Sequence, residues 1–136
     1  NLQRDHGVSI IYITHDLTTA FHIAKSIIVL YRGSVMEAGD VDQVIKDPQH
    51  PYTQLLVDSI PWPNLDQRWG AQPIKAREVG GSSEGCRFRP RCPKAMDICK
   101  EEPPLFRLGD KHADACFLHD SQPKMPPERL SELLPV

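Results

Sequence analysis

The sequence predicts an α/β fold in its first half and a loop-rich, cysteine-bearing appendage in its second, on three observations. Residues 8–14 (VSIIYIT) are a nearly unbroken, β-branched apolar run, the pattern of a strand buried on both faces as in a parallel sheet. Just beyond, Leu17, Ala20, Phe21 and Ala24 recur at i, i+3, i+4 and i+7, the stripe of an amphipathic helix. All four cysteines fall between Cys86 and Cys116, and the 13 prolines all lie after Lys46. Proline at that density argues against long helix or central sheet there.

The remaining elements follow from local chemistry. Residues 1–7 (NLQRDHG) read as a helix's last turn and its stop, with Gly7 suited to the left-handed position after a helix. A chain that opens in this way is expected to belong to a longer one. Asp16 is placed to cap the next helix, which runs to about Lys25. Residues 26–32 (SIIVLYR) form a second apolar strand, and Gly33 turns it into an antiparallel partner over 34–38, closed by Gly39. Asp40 with Gln43 resembles a capping box for a short helix over 41–46. Residues 47–50 break that helix, and Pro51 suits the first position of another, ending near Ser59. From Ile60, Pro61-Trp62-Pro63 and Gly80-Gly81-Ser82-Ser83 mark a linker, with Trp62 and Trp69 as its anchors on the α/β part. Residues 93–100 are the one helical piece of the cysteine region. Leu130, Leu133 and Leu134 make a small amphipathic turn in the tail.

A formal charge of −2 and a charged fraction of 25% give no ground for nucleic-acid binding, which leans on clustered Lys and Arg. The longest apolar stretches, 8–13 and 27–31, are far shorter than the roughly 20 residues that span a bilayer. No basic-then-apolar signal opens the chain. The expectation is a cytoplasmic protein with no membrane span of its own, able to dock on the inner face of a membrane through partners.

Residues 10–16 (IIYITHD) set His15 just past the carboxyl end of the first apolar strand. Ligands of open α/β sheets collect at such ends, and an imidazole there can donate to a phosphate oxygen, a bond worth about 1.5–3 kcal/mol when charge-assisted. By position alone His15 also reads as a plain loop residue finishing a strand. Residues 8–39, however, closely resemble the last segment of ABC-transporter nucleotide-binding domains. Thr14-His15-Asp16 resembles that family's switch motif, and the helix, strand and Gly33–Gly39 hairpin (G-x-[VI]-x-E-x-G) follow in the family's order. The resemblance implies that His15 contacts the γ-phosphate of ATP and helps hold the attacking water and a second ATPase subunit in line. The 136 residues contain no G-x-x-x-x-G-K-[ST] phosphate loop; by the resemblance this loop, the signature sequence and the magnesium-binding acidic strand lie ahead of Asn1. ATP and Mg are therefore expected to bind only in a longer parent chain, with no ATPase activity from these residues alone.

Residues 47–57 (DPQHPYTQLLV) read physically as a Pro-punctuated turn feeding an amphipathic helix, with Leu55 and Leu56 toward the core and His50, Pro51, Tyr52 and Thr53 building the fold. After such a hairpin, P-x-H-P-Y-T-x-x-L resembles the subgroup of importer ATPases that energises uptake of oligopeptides, dipeptides and, in some members, nickel or glutathione.

The cysteine spacing is Cys86-x5-Cys92-x6-Cys99-x16-Cys116. Four thiols in so short a loop-rich stretch call for a common partner, and three remain open. Disulfides suit small secreted domains and are uncommon in the cytosol. Zinc suits four thiolates, although zinc ribbons mostly use close C-x2–4-C pairs. A [4Fe–4S] cluster takes thiolates at separate corners and so accepts wider, unequal spacings. Arg87, Arg89 and Arg91 beside the first two cysteines would offset its negative charge, or form a solvated basic loop. His112 and His119 flank Cys116 as substitute ligands in reserve. Residues 85–99 with the stretch 112–116 (HADAC) resemble the carboxy-terminal extension of oligopeptide and dipeptide importer ATPases, which implies an iron–sulfur site on Cys86, Cys92, Cys99 and Cys116.

The expected organisation is therefore residues 1–60 as the end of an ABC-type ATPase domain, 61–84 as linker, 85–120 as the four-cysteine extension and 121–136 as a tail. The function implied by resemblance is part of the ATPase subunit of a peptide importer, with transmembrane permease subunits and a second ATPase subunit as partners. The alternative is a free-standing four-cysteine metal-binding interaction or redox-regulatory module.

Overall fold

Described here are residues 5–60 and 84–134 of a computed structural model. Helix α1 (Leu17–Ile23) is capped as its sequence demands: Asp16 Oδ1 accepts from the Thr18 N–H at 3.0 Å and the Thr19 N–H at 3.4 Å. Strands β1 (Ser26–Tyr31) and β2 (Ser34–Asp40) form an antiparallel hairpin. Arg32 and Gly33 both have positive φ, 49° and 80°, the two-residue turn whose twist matches that of its strands. Opposite the step from Val29 to Leu30, Met36 is an extra residue on β2, so the hairpin carries a bulge there. Helices α2 (Val41–Lys46) and α3 (Pro51–Asp58) follow. Asp40 caps α2 by accepting from the Asp42 and Gln43 amides. Its own N–H donates to the Lys111 carbonyl at 2.8 Å, so the return bond of the expected capping box is replaced by a tertiary one.

The second half departs from expectation. Instead of a loop-rich appendage, it supplies three strands, β3 (Leu105–Gly109), β4 (His112–Asp114) and β5 (Lys124–Met125). They join the hairpin in one antiparallel sheet of order β1-β2-β4-β3-β5. Strand β4 lies at its centre, paired through Glu37↔Asp114, Ala38↔Ala113 and Gly39↔His112. Proline density misled because residues 105–122 hold no proline at all, and the local composition there permits a ladder. Residues 93–100 yield a 3₁₀ turn over Asp97–Lys100 rather than an α-helix, and a second 3₁₀ turn covers Arg89–Arg91.

Residues 8–14 also differ from expectation. They enter no strand, and Ile11 and Ile13 are 91% and 93% exposed. A strand buried on both faces needs pairing partners at its edges and layers above and below; the described residues supply neither, and the sheet they form is antiparallel throughout. The expected linker, with Trp62 and Trp69, lies outside the described residues except for Glu84.

Each face of the sheet has its own core. On one, Ala38, Leu105, Ala113, Ala115 and Met125 pack with Leu133 from a 3₁₀ run over Pro127–Leu133. On the other, Val29 and Met36 pack with Val44 of α2, Leu55 and Leu56 of α3, and Phe88. The close approach of β4 to β2 depends on Gly39, where a Cβ would lie 2.1 Å from the Lys111 carbonyl oxygen. Gly39→Ala is expected to cost roughly 2–3 kcal/mol in urea unfolding, the range of strain and overpacking. Gly109→Ala, with open space around it, should stay within about 0.5 kcal/mol of the parent. Equal stability of both variants would contradict the β2–β4 pairing.

Candidate functional site

The cysteine segment is seated by an aromatic anchor that sequence reading passed over. Phe88, set among arginines in residues 87–91, is 1% exposed. Its ring lies 5.5 Å from that of Tyr31, 5.3 Å from that of Tyr52 and 6.1 Å from that of His50. An isolated aromatic in a basic loop is the signal that marks it. Burying a side chain of this size stabilises the contact by about 1.5–3 kcal/mol, and it carries Cys86 and Cys92 onto the same cluster. At Gly85 the segment crosses the turn that bears Cys99. The Cys86 N–H donates to the Cys99 carbonyl at 3.0 Å, and a Cβ on Gly85 would lie 2.5 Å from the carbonyl oxygens of Cys99 and Lys100. Cys116 arrives from the end of β4.

All four cysteines are free thiols, Cys86 and Cys92 half-buried, Cys99 and Cys116 buried. They lie within electrostatic reach of one another: Cys99 acts on Cys86, Cys86 and Cys99 act on Cys92, and Cys92 and Cys86 act on Cys116. Burial raises the Cys86 and Cys92 thiols above the ordinary range and pushes Cys116 up to about 12. Such thiols hold their protons at neutral pH, and a bound cation would release them. A single zinc ion needs its donors about 2.0–2.3 Å from one point. Among the described residues, no three His, Cys, Asp or Glu side chains are arranged to hold one metal ion.

Beside the thiols lies a buried acid–imidazole network. Glu37 is fully buried and accepts from the Gln49 N–H at 2.9 Å, the His50 N–H at 2.9 Å and His112 Nε2 at 2.6 Å. Asp114, its cross-strand neighbour, is also fully buried and lies 2.7 Å from His119 Nδ1. Burial, then the neighbouring Glu37, pushes the Asp114 carboxyl up to about 8, while burial lowers His119; both shifts favour the neutral pair. His112 and His119 thus lie against the carboxyl groups of Glu37 and Asp114. His50 caps α3, its Nδ1 accepting from the Tyr52 N–H at 3.0 Å, so the ring proton sits on Nε2.

His15 stands on a separate segment, exposed, directly before the cap of α1. The Asp16 N–H donates to Thr14 Oγ1 at 2.9 Å, so the backbone on either side of His15 is held while its imidazole remains open. The Thr19 hydroxyl, followed by the Thr19 amide, lowers the Asp16 carboxyl below its ordinary range. No described helix is long and apolar enough to cross a membrane.

Comparison with known families places this geometry. The family described as "Oligopeptide/dipeptide transporter, C-terminal region" matches residues 36–99, from the bulge on β2 to Cys99. That region makes up a little under half of the chain. The chain is 40% identical over 123 residues to a putative peptide import ATP-binding protein of Brucella abortus, covering 88% of this chain and 36% of that protein. It is 35% identical over 123 residues to an oligopeptide transport ATP-binding protein of Salmonella typhimurium, covering 88% and 37%. It is 36% identical over 121 residues to a dipeptide transport ATP-binding protein of Caldanaerobacter subterraneus, covering 83% and 35%. The chain thus spans little more than a third of the length of these relatives. The family region takes in Cys86, Cys92 and Cys99, and Cys116 lies beyond it.

The matched region contains one imidazole, His50, whose charged form burial disfavours. Desolvation lowers His50 to about 4 from 6.5, against the opposing pull of Glu37. Between those values the unfolded chain binds more protons than the folded one. The contribution of a neutral His50 is therefore complete above about pH 6.5 and falls toward pH 4, by up to about 3 kcal/mol. Urea unfolding at pH 7 and pH 4.5 should show His50→Asn, which keeps a capping acceptor, gaining about 2–3 kcal/mol relative to the parent in acid. A constant difference between the two would show that His50 does not fold as a neutral ring.

Proposed function

We propose that this chain is the carboxy-terminal part of the ATP-hydrolysing subunit of a peptide importer, one that draws oligopeptides or dipeptides across the cytoplasmic membrane through permease partners. The observation that carries this reading is the family match over residues 36–99, joined to relatives named as peptide-import ATP-binding proteins. In the complete subunit His15 is the phosphate-contacting residue. Its open imidazole, on a backbone fixed by Asp16 and Thr14, donates to the γ-phosphate of ATP where charge develops during transfer. The phosphate loop and the magnesium ligands come from other parts of that subunit, and a second ATPase subunit closes over the nucleotide. The assembly works at the inner face of the membrane. Residues 1–60 close the ATPase domain, and residues 85–120 form the cysteine extension, which the sheet binds to it.

Cys86, Cys92, Cys99 and Cys116 hold a [4Fe–4S] cluster in this reading. The donor chemistry supports it: four free thiols, two buried and two half-buried, act on one another electrostatically. When bound, the cluster supplies a covalent tie between the crossing at Gly85 and the end of β4. Phe88 and Gly85 position the cysteine segment, with Cys99 and Cys116 withdrawn from water and Cys86 and Cys92 half-buried.

Two measurements test the two halves of the proposal. In the complete subunit, His15→Ala should lower kcat for ATP hydrolysis by about 10²–10³, the usual effect of removing a donor to developing charge; an unchanged rate would refute its role. Anaerobically purified protein should contain iron and absorb broadly at about 400 nm. Colourless protein with stoichiometric zinc would replace the cluster by that metal.

A further inference from the structure

Residues 86–99 leave the body of the molecule and return to it as one loop. The Cys86 N–H donates to the Cys99 carbonyl at 3.0 Å, so the two ends meet, within the roughly 6–16 residues of a compact surface loop. Phe88 and Cys99 are buried and hold the loop down. Residues 93–98 (PKAMDI) are all exposed, Met96 at 38% and Ile98 at 43%. Apolar side chains therefore make up most of the tip.

Cations collar it. Residues 87–100 hold Arg87, Arg89, Arg91, Lys94 and Lys100 against one acid, Asp97, in a chain whose formal charge is −2. Asp97 is matched by Lys100 at 3.3 Å in an exposed pair, and Arg87 lines a cleft with Glu102 at the base of the loop. Arg91 and Lys94, both exposed, stand at the tip itself. A stable protein interface takes about 800 Å² and roughly 20–30 residues from each side, far more than residues 93–98 offer. A lipid surface asks for less. Single apolar side chains can enter its headgroup layer, and each Lys or Arg beside them is drawn to anionic lipid.

We propose that the 93–98 tip docks on a bilayer carrying anionic phospholipid, with Met96 and Ile98 entering the headgroup layer and Arg91 and Lys94 pairing with lipid phosphates. The proposal stands on this loop and is independent of what the cysteines bind. It gives the extension a contact of its own at the membrane face where the subunit is proposed to work.

The test is co-sedimentation of the 136-residue chain with two vesicle preparations, phosphatidylcholine alone and phosphatidylcholine mixed equally with phosphatidylglycerol. Partition onto the anionic vesicles should be at least about tenfold stronger and should weaken as salt is added. Arg91→Glu combined with Lys94→Glu should reduce it about twentyfold or more, at roughly fivefold for each cation near such a surface. Met96→Ser combined with Ile98→Ser should reduce it about fivefold. Ile11→Ser, in the other exposed apolar run, and Lys124→Glu, on an exposed cation of β5, should leave it unchanged. Equal partition onto both preparations overturns the proposal, as does loss of binding in Ile11→Ser but not in the tip variants. Absence of binding also overturns it; a salt-sensitive dimer that disappears in the Arg91, Lys94 variant would then assign the tip to a second copy.

Discussion

A carboxylate withdrawn from water must find donors or a proton, because burying the bare charge costs several kcal/mol. Glu37 finds three donors from two distant parts of the chain, the adjacent amides of Gln49 and His50 and the ring of His112. That requirement organises much of the fold. It draws the 47–50 turn back across the hairpin, sets the direction in which α3 leaves, and fixes which residue of β4 stands beside β2. The ladder and the polar contact agree on one register: Glu37 pairs with Asp114 and, through its side chain, with His112 two residues away. Since either alone would tolerate a shift that the other forbids, the pairing is doubly determined.

The cysteine region shows the same economy of placement. Phe88 supplies the apolar driving force, and the crossing at Gly85 supplies the geometry. The three sulfurs of residues 86–99 are therefore positioned before any ligand is considered. Cys116 depends instead on the sheet, at the end of its central strand. The corner is thus assembled from two sources with different stabilities, a loop held by one aromatic ring and a strand held on both edges. A ligand bridging them would join the part of the molecule most easily loosened to the part least so.

Local signals in the sequence were reliable where the physics is local. The cap at Asp16, the turn at Gly33 and the start of α3 at Pro51 all follow from neighbours a few residues apart. Long-range consequences were hidden. Glu37 reads as an ordinary hairpin residue until its partner, 75 positions onward, is brought beside it. The alternation over 112–116 is plain once sought, but a pattern of three polar residues and two alanines carries no hydrophobic signature of a central strand. Residues 8–14 mark the opposite case: their composition asks for a sheet that the described residues do not contain, and Ile11 and Ile13 remain in solvent. His15 follows that run, so its surroundings are the part least determined by the described residues.

The face-by-face alternation on β4 also has a genetic consequence. Deleting or inserting one residue between Gly109 and Cys116 would invert the strand's two sides. The alanines would then meet Glu37, and the imidazole and carboxylate would be driven into the greasy tail-side core. Single amino-acid replacements at these positions damage one contact each, whereas a change in length reverses them all. Variation among natural or engineered versions of this segment should accordingly take the form of exchanged side chains at constant spacing.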